Sequence, residues 1–173
     1  AGKSCWSKYK NLNKNSIGIE LVNKGHRFGY TNFSKKQILS LIKICKNLLR
    51  KYKIKNRNII GHSDIAPLRK KDPGEKFPWQ FLSKKKIAIW HGLKNSKLRL
   101  KRRKKISITN VHKFKKYLKK IGYFLPNNSD SQITKKVIVA FQRHYRQELI
   151  NGIADQECFD ISREISNKIS KKA

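Results

Sequence analysis

Two side chains that could hold a metal ion, His62 and Asp72, lie ten positions apart in residues 61–79, which read GHSDIAPLRKKDPGEKFPW. Pro67 lies between them and Pro73 follows directly, so this turn-rich segment can fold back on itself. An imidazole and a carboxylate brought together in this way would supply two of the three protein ligands of a catalytic zinc site, whose fourth position holds water. The alternative is an ordinary loop pair without a metal.

A third chemically interesting side chain, Glu20, lies in residues 13–22 (NKNSIGIELV). Ile17, Ile19 and Leu21 recur at every second position, which is the period of a strand. We expect these three to face a core and Glu20 to point the other way. A carboxylate among mostly apolar or small neighbours is costly unless it has a role or a partner. The alternative is a glutamate held by a surface lysine.

Residues 61–79, the candidate metal-binding segment, resemble the type 2 zinc amidases. These enzymes cut N-acetylmuramoyl-L-alanine bonds in peptidoglycan and are related to peptidoglycan recognition proteins. The pattern of that family is a histidine followed by Ser-Asp-Ile-Ala-Pro, basic residues, Lys-x-Asp-Pro-Gly and an aromatic patch. The matching residues are His62, Ser63, Asp64, Ile65, Ala66, Pro67, Arg69, Lys70, Asp72, Pro73, Gly74, Phe77, Pro78 and Trp79.

The resemblance implies a role for each candidate residue. His62 and Asp72 would hold Zn²⁺, and Glu20 would lie beside the zinc and help to activate the attacking water. Lys70 would stabilise the oxyanion that forms during amide hydrolysis, a donor role often worth roughly 3 kcal/mol.

The resemblance also implies a ligand that these residues do not supply. The first zinc histidine of the family lies on an early strand, so we expect the third ligand upstream of Ala1. The chain contains no methionine and its opening resembles a stretch that follows that strand, so we interpret Ala1 as a processed or truncated end. His26 is the nearest candidate to replace the ligand. The other histidines, expected to be surface or packing residues, are His91, His112 and His144.

The charge of the chain is extreme. Its 173 residues carry a formal net charge of +33. Such a charge suggests a polyanionic partner, namely nucleic acid, anionic lipid or an acidic wall polymer. The lysines are spread over every segment, however, and the chain is also rich in Ile and Asn, so drift toward AT-rich codons is an equal explanation.

One charge cluster stands out, KLRLKRRKK at residues 97–105. Dense like charges repel each other, which predicts an exposed and extended segment. We interpret residues 94–108 as a basic linker between an amidase domain at 1–93 and a helical domain at 109–173. The three cysteines, Cys5, Cys45 and Cys158, show no zinc-finger or disulfide pattern, and Cys45 falls on the apolar face of a helix. No apolar stretch is long enough to span a bilayer.

The first part of the chain is predicted to be α/β. Strands are expected at 15–22 and 58–62, with Ile59 and Ile60 buried and His62 at a strand end. Between them, Ser34 and Gln37 form a capping box for a helix that runs to about residue 52. A short helix is expected near 79–86. This order resembles the C-terminal part of the mixed-sheet zinc amidase domain.

The last part of the chain is predicted to be a small three-helix bundle. Asn110 is expected to cap the first helix and Gly122 to stop it, with a loop at 126–131. Thr134 is expected to cap the second helix, and the third covers about 157–169 after a turn at Asn151-Gly152. The order resembles the peptidoglycan-binding domain often attached to such amidases, although an expected loop glycine and a threonine after Asp155 are missing.

These patterns together predict zinc-dependent hydrolysis of the amide between N-acetylmuramic acid and L-alanine. The expected partners are peptidoglycan or muropeptides and a missing N-terminal segment, with no specific nucleic acid. The expected location is the cell envelope or periplasm, or the cytoplasm for an enzyme that recycles muropeptides. The alternatives are a non-catalytic cell-wall-binding fragment and a nucleic-acid binder driven by charge.

Overall fold

A computed structural model describes residues 2–126 and 129–171. Within these ranges the only sheet is a two-stranded antiparallel hairpin of β1 (Cys5–Trp6) and β2 (Tyr9–Lys10). The helices are α1 (Lys35–Lys51), α2 (His62–Ile65), α3 (Trp79–Lys84), α4 (Asn95–Arg99), α5 (Ile108–Ile121), α6 (Ser131–Tyr145) and α7 (Gln156–Ser170). Across the described ranges no helix is long and apolar enough to cross a membrane.

Helix α1 follows the sequence prediction. The Ser34 hydroxyl accepts a hydrogen bond from the Gln37 backbone, and the Gln37 side chain accepts one from the Ser34 backbone, so the capping box is confirmed. One face of the helix is buried, Cys45 included. That face packs in a cluster with Phe77, Trp79, Leu82 and Ile87. The helix therefore lies against the residues that end the candidate metal-binding segment, 61–79.

Both predicted strands are wrong. Residues 16–24 form no regular structure, and Ile17 is half exposed rather than packed in a core. A strand needs a neighbour for its backbone hydrogen bonds, and the described residues supply none to this segment. Asn56–Asn58 form a 3₁₀ turn, and His62 begins a short helix instead of ending a strand.

The three C-terminal helices are confirmed, but two caps lie elsewhere than predicted. Ser107 accepts from the Asn110 backbone, and Asp130 accepts from the Ile133 backbone. Asn110 and Thr134 lie inside the first turns, where their own N–H groups donate to the Ser107 hydroxyl and the Asp130 carbonyl. Gly122 stops α5 with φ 135, as predicted. Residues 127 and 128 of the predicted loop lie outside the described residues.

The largest core cluster joins the two ends of the chain. It contains Trp6 and Leu12 from the first part together with residues from α5, α6 and α7. The Trp6 and Tyr123 rings meet edge to face with centroids 5.1 Å apart. Helix α5 packs against α7, and α2 against α6. The segment around His62 is therefore in direct contact with the C-terminal helices.

The linker predicted at residues 97–105 is exposed at most of its positions, as predicted, but it is not extended. Residues 97–99 belong to α4, and turns follow at 100–103. Leu98 is buried in the main core. Lys101 Nζ lies 2.5 Å from Asp160 Oδ2, and Arg102 Nε lies 2.7 Å from Glu157 Oε2. Pairing of Lys101 and Arg102 with carboxylates of α7 offsets part of the repulsion between like charges that would extend this segment. The domain boundaries at 93/94 and 108/109 stay a prediction.

Candidate metal-binding site

A backbone hydrogen bond closes the loop that runs from His62 to Asp72. The Ser63 N–H donates to the Asp72 carbonyl over 2.8 Å, and Ala66 N–H donates to the His62 carbonyl over 3.0 Å. The first contact closes the loop between His62 and Asp72, and the second forms the single turn of α2. The fold-back predicted for this segment is therefore confirmed.

The two candidate ligands meet at the end of this closed loop. His62 Nδ1 lies 2.9 Å from Asp72 Oδ2, and their side chains are 39% and 59% exposed. Two ligands of one tetrahedral zinc stand roughly 3.4 Å apart. An ion can reach this pair from solvent, and only a small opening of the contact would admit it. The donor set, one imidazole and one carboxylate, suits zinc.

The far side of the loop is held by Tyr30. Its hydroxyl donates to the Pro73 carbonyl over 2.7 Å and accepts from the Lys76 N–H over 3.0 Å. Burial raises the pKa of Tyr30 to about 12, so the hydroxyl stays a donor across the physiological range. Sequence reasoning missed Tyr30, because nothing local to it points to the loop 43 residues later.

His26, the proposed substitute ligand, is engaged elsewhere. Its Nε2 lies 3.0 Å from Glu75 Oε2, and its ring stacks on Tyr30 with centroids 4.4 Å apart. His26 therefore supports the loop beyond Asp72. No group of three or more His, Cys, Asp or Glu side chains suited to a metal occurs in residues 2–126 and 129–171.

The structure does not join Glu20 and Lys70 to the His62–Asp72 pair. Glu20 is exposed and Lys70 partly buried, and within the described ranges neither side chain forms a hydrogen bond or ion pair. The Lys70 backbone N–H donates to the Ala66 carbonyl over 3.0 Å, which places the residue in the loop as expected.

Asp64 is the residue that sequence reasoning overlooked. It lies two positions after His62, is 1% exposed, and accepts from Gly61 N, Tyr123 Oη and His144 Nδ1. Its only sequence signal was its place in the family pattern. His91 and His144 are buried, as expected of packing histidines.

Two protein families match this chain. The family described as N-acetylmuramoyl-L-alanine amidase matches residues 1–75, and a peptidoglycan binding domain family matches residues 107–161.

Individual proteins are also similar. The N-acetylmuramoyl-L-alanine amidase AmiD of Escherichia coli K12 is 35% identical over 173 residues, covering 97% of this chain and 63% of that protein. The 1,6-anhydro-N-acetylmuramyl-L-alanine amidase AmpD of Enterobacter cloacae is 39% identical over 79 residues, covering 46% of this chain and 40% of that protein. The chain thus spans less than two thirds of the length of either relative.

Two solved structures share the fold. Escherichia coli AmiD in complex with the substrate anhydro-N-acetylmuramic acid-L-Ala-D-gamma-Glu-L-Lys superposes with a TM-score of 0.83 at 34% identity, covering 96% of this chain and 67% of that one. AMPDH3 of Pseudomonas aeruginosa, in complex with anhydromuramic pentapeptide, gives 0.82 at 31% identity, covering 97% and 68%.

Proposed function

Because the chain belongs to the N-acetylmuramoyl-L-alanine amidase family, we propose that it takes part in zinc-dependent hydrolysis of the amide between N-acetylmuramic acid and L-alanine. The observation that carries this proposal is the contact of 2.9 Å between His62 Nδ1 and Asp72 Oδ2 on a solvent-facing loop. A loop that positions an imidazole and a carboxylate in this way supplies two ligands of a catalytic zinc.

His62 and Asp72 would hold the zinc. When bound, zinc lowers the pKa of its water to about 7 and polarises the amide carbonyl. Glu20 would accept the proton of the attacking water and pass it to the leaving amine. Lys70 would donate to the oxygen of the amide carbonyl as negative charge develops there.

We propose that the third zinc ligand comes from a segment outside the described residues. Catalytic zinc takes three protein ligands, and His26 is occupied by Glu75 and Tyr30. Such a segment would also give residues 16–24 a neighbour and could bring Glu20 to the metal.

We propose anhydro-muropeptides and peptidoglycan as substrates. The supporting observation is that AmiD was solved with an anhydro-N-acetylmuramic acid peptide bound and AMPDH3 with an anhydromuramic pentapeptide. The match of residues 107–161 to a peptidoglycan binding domain favours polymeric wall and a place in the cell envelope. A cytoplasmic, muropeptide-recycling role is the alternative.

The test is hydrolysis of anhydro-N-acetylmuramic acid-L-Ala-D-γ-Glu-L-Lys with zinc added. The chain is assayed alone and with the amino-terminal segment of AmiD supplied in trans, and release of the L-Ala peptide is followed by mass spectrometry. We expect release in the presence of zinc and its loss in His62→Ala. If wild type and His62→Ala behave alike under both conditions, the proposal is wrong.

A second candidate function, wall binding without catalysis, is favoured by the match to a peptidoglycan binding domain. Retention on purified peptidoglycan at high salt without peptide release would support it. Because phosphate-driven binding weakens steeply with salt, retention that disappears as salt is raised would instead indicate attraction by charge alone.

A further inference from the structure

A buried carboxylate lies beneath the candidate metal site. Asp64 Oδ2 accepts from Gly61 N over 2.7 Å and from His144 Nδ1 over 2.7 Å, and Asp64 Oδ1 accepts from Tyr123 Oη over 2.6 Å. Both side chains of the Asp64–His144 pair are at most 2% exposed. A carboxylate this deep in the protein is tolerated only while its oxygens have donors.

Two of the three donors come from the C-terminal helical part. Tyr123 follows α5 and is 59 residues from Asp64 in the chain. His144 lies on the last turn of α6 and is 80 residues from Asp64. The third donor, Gly61 N, belongs to the residue immediately before His62. The carboxylate therefore connects the C-terminal helices to the turn that carries a zinc ligand.

Both distant donors are held rigidly. The His144 ring stacks between Trp79 and Tyr145, with centroids 3.8 Å and 4.0 Å away. The Tyr123 ring is fixed edge to face by Trp6. Burial, with the negative charge of Asp64 beside it, holds the pKa of Tyr123 well above its ordinary value, so its hydroxyl remains a donor.

We propose that Tyr123 and His144 are positioning residues for His62. They fix Asp64, Asp64 fixes the Gly61 N–H, and the two together set where α2 begins and hence where the His62 imidazole stands. This inference rests on the proposed function, and it gives the C-terminal helices a second role besides binding to the wall. Partners hydrogen-bonded directly to a metal ligand typically change metal affinity by about 10–100-fold when removed. Tyr123 and His144 act through Asp64 and Gly61, so we expect an effect at the lower end of this range.

The experiment uses paired variants of the whole chain. Tyr123→Phe removes one hydroxyl donor, and Tyr117→Phe makes the same chemical change on α5 at a tyrosine that packs on Phe159 instead. His144→Phe keeps a ring between Trp79 and Tyr145 but removes the donor. His144→Asn loses the stacking and restores a donor near the position of Nδ1.

Three quantities are measured for each variant. The first is zinc affinity by competition with a chromophoric chelator, measured for the chain alone and with the amino-terminal segment of AmiD in trans. The others are hydrogen exchange of the amides of residues 61–66 and the thermal midpoint. We expect Tyr123→Phe and His144→Phe to weaken zinc binding by about tenfold or more and to speed exchange at residues 61–66. Tyr117→Phe should change neither, and His144→Asn should recover part of both relative to His144→Phe.

Two outcomes separate the inference from the proposed function. If Tyr123→Phe and His144→Phe lower the thermal midpoint while zinc affinity and local exchange stay at wild-type values, the two residues are only structural and the inference is wrong. If wild type binds no zinc either alone or with the amino-terminal segment of AmiD added, the proposed function fails. Exchange at residues 61–66 then still decides whether Tyr123 and His144 hold the His62 turn.

Discussion

At the residue scale, Gly61 lies at a crowded point of the site. A Cβ added there would lie 2.7 Å from Pro73 Cδ and 3.3 Å from both Asp64 Oδ2 and Trp79 Cζ2. Gly61 precedes His62, and Pro73 follows Asp72. The Gly61 backbone and the Pro73 ring therefore pack closely where the two ends of the loop meet. A larger residue would force the His62 and Asp72 ends of the loop apart.

Gly61→Ala should therefore lower the free energy of unfolding by about 1–3 kcal/mol, as overpacking does in other well-packed sites. Urea denaturation followed by circular dichroism measures this. Gly18→Ala is the matched control, because a Cβ at Gly18 meets nothing within 4 Å. Equal effects of the two substitutions would show that the crowding at Gly61 is relieved without cost.

His91 gives the protein a dependence on pH that can be measured separately from the site. Burial lowers the pKa of His91 to about 4. The negative charge of Glu164 acts in the opposite direction, and the positive charge of Lys168 lowers the pKa further. In the unfolded chain the histidine binds a proton below about pH 6.5, whereas in the folded chain it binds one only below about pH 4. Its contribution to stability is therefore complete above about pH 6.5 and is lost as the pH falls toward 4.

The loss attributable to His91 should be of the order of 3 kcal/mol between these limits. We expect His91→Gln to flatten the dependence of the unfolding free energy on pH in this window. His112→Gln, at an exposed histidine, is the control. Parallel curves for wild type and His91→Gln would contradict the assignment.

At the element scale, the basic segment behaves as part of the C-terminal helical packing. Arg102 contacts Glu157 at 2.7 Å and Glu148 at 2.6 Å, and Gln156 N–H at the start of α7 donates to the Lys104 carbonyl over 2.9 Å. Glu157 is 2% exposed and also meets Arg146 Nη1 at 3.4 Å. The segment thus supplies positive charge to a cluster of buried carboxylates, and it anchors α7.

Arg102→Met should lower the free energy of unfolding by about 2 kcal/mol, because it leaves Glu157 buried with only its longer contact to Arg146. Arg103→Met is the control, since the Arg103 side chain is exposed and its cluster contact is made by its backbone N–H. Thermal unfolding at low and moderate salt compares the two. If Arg102→Met and Arg103→Met change the thermal midpoint equally, the ion pairs of Arg102 do not stabilise the packing of the C-terminal helices.

At the scale of the whole molecule, the chain is expected to unfold as one unit. The main core includes Trp6, Leu12 and residues of all three C-terminal helices. Asp64 is held by Tyr123, just after α5, and by His144 on α6. Because one core contains residues of both predicted domains, we expect the unfolding of the two domains to be coupled.

Leu118→Ala tests this coupling. Leu118 is fully buried on α5, so the substitution should cost about 2–5 kcal/mol. The three tryptophans, Trp6, Trp79 and Trp90, all lie in the first part of the chain. Tryptophan fluorescence and helical circular dichroism should therefore shift together to lower denaturant. A fluorescence transition unchanged from wild type would show that the two parts unfold independently.

Features that depend on neighbours in sequence were predictable. The capping box of α1, the stop at Gly122 and the positions of the three C-terminal helices follow from residues within a few positions of each other. The meeting of His62 with Asp72 was predictable for the same reason, because the loop between them is short and proline-bent.

Features that depend on distant residues were decided only in three dimensions. The sequence marked Asp64 as a pattern residue and His144 as a packing histidine, but the contact between them closes 80 residues of chain. Strand periodicity at residues 15–22 could not show whether a neighbouring strand is present. The density of basic residues at 97–105 could not show that acidic residues of α7 face two of them. Periodicity and spacing fix what a segment can form alone, whereas burial and pairing depend on which surface the fold places against it.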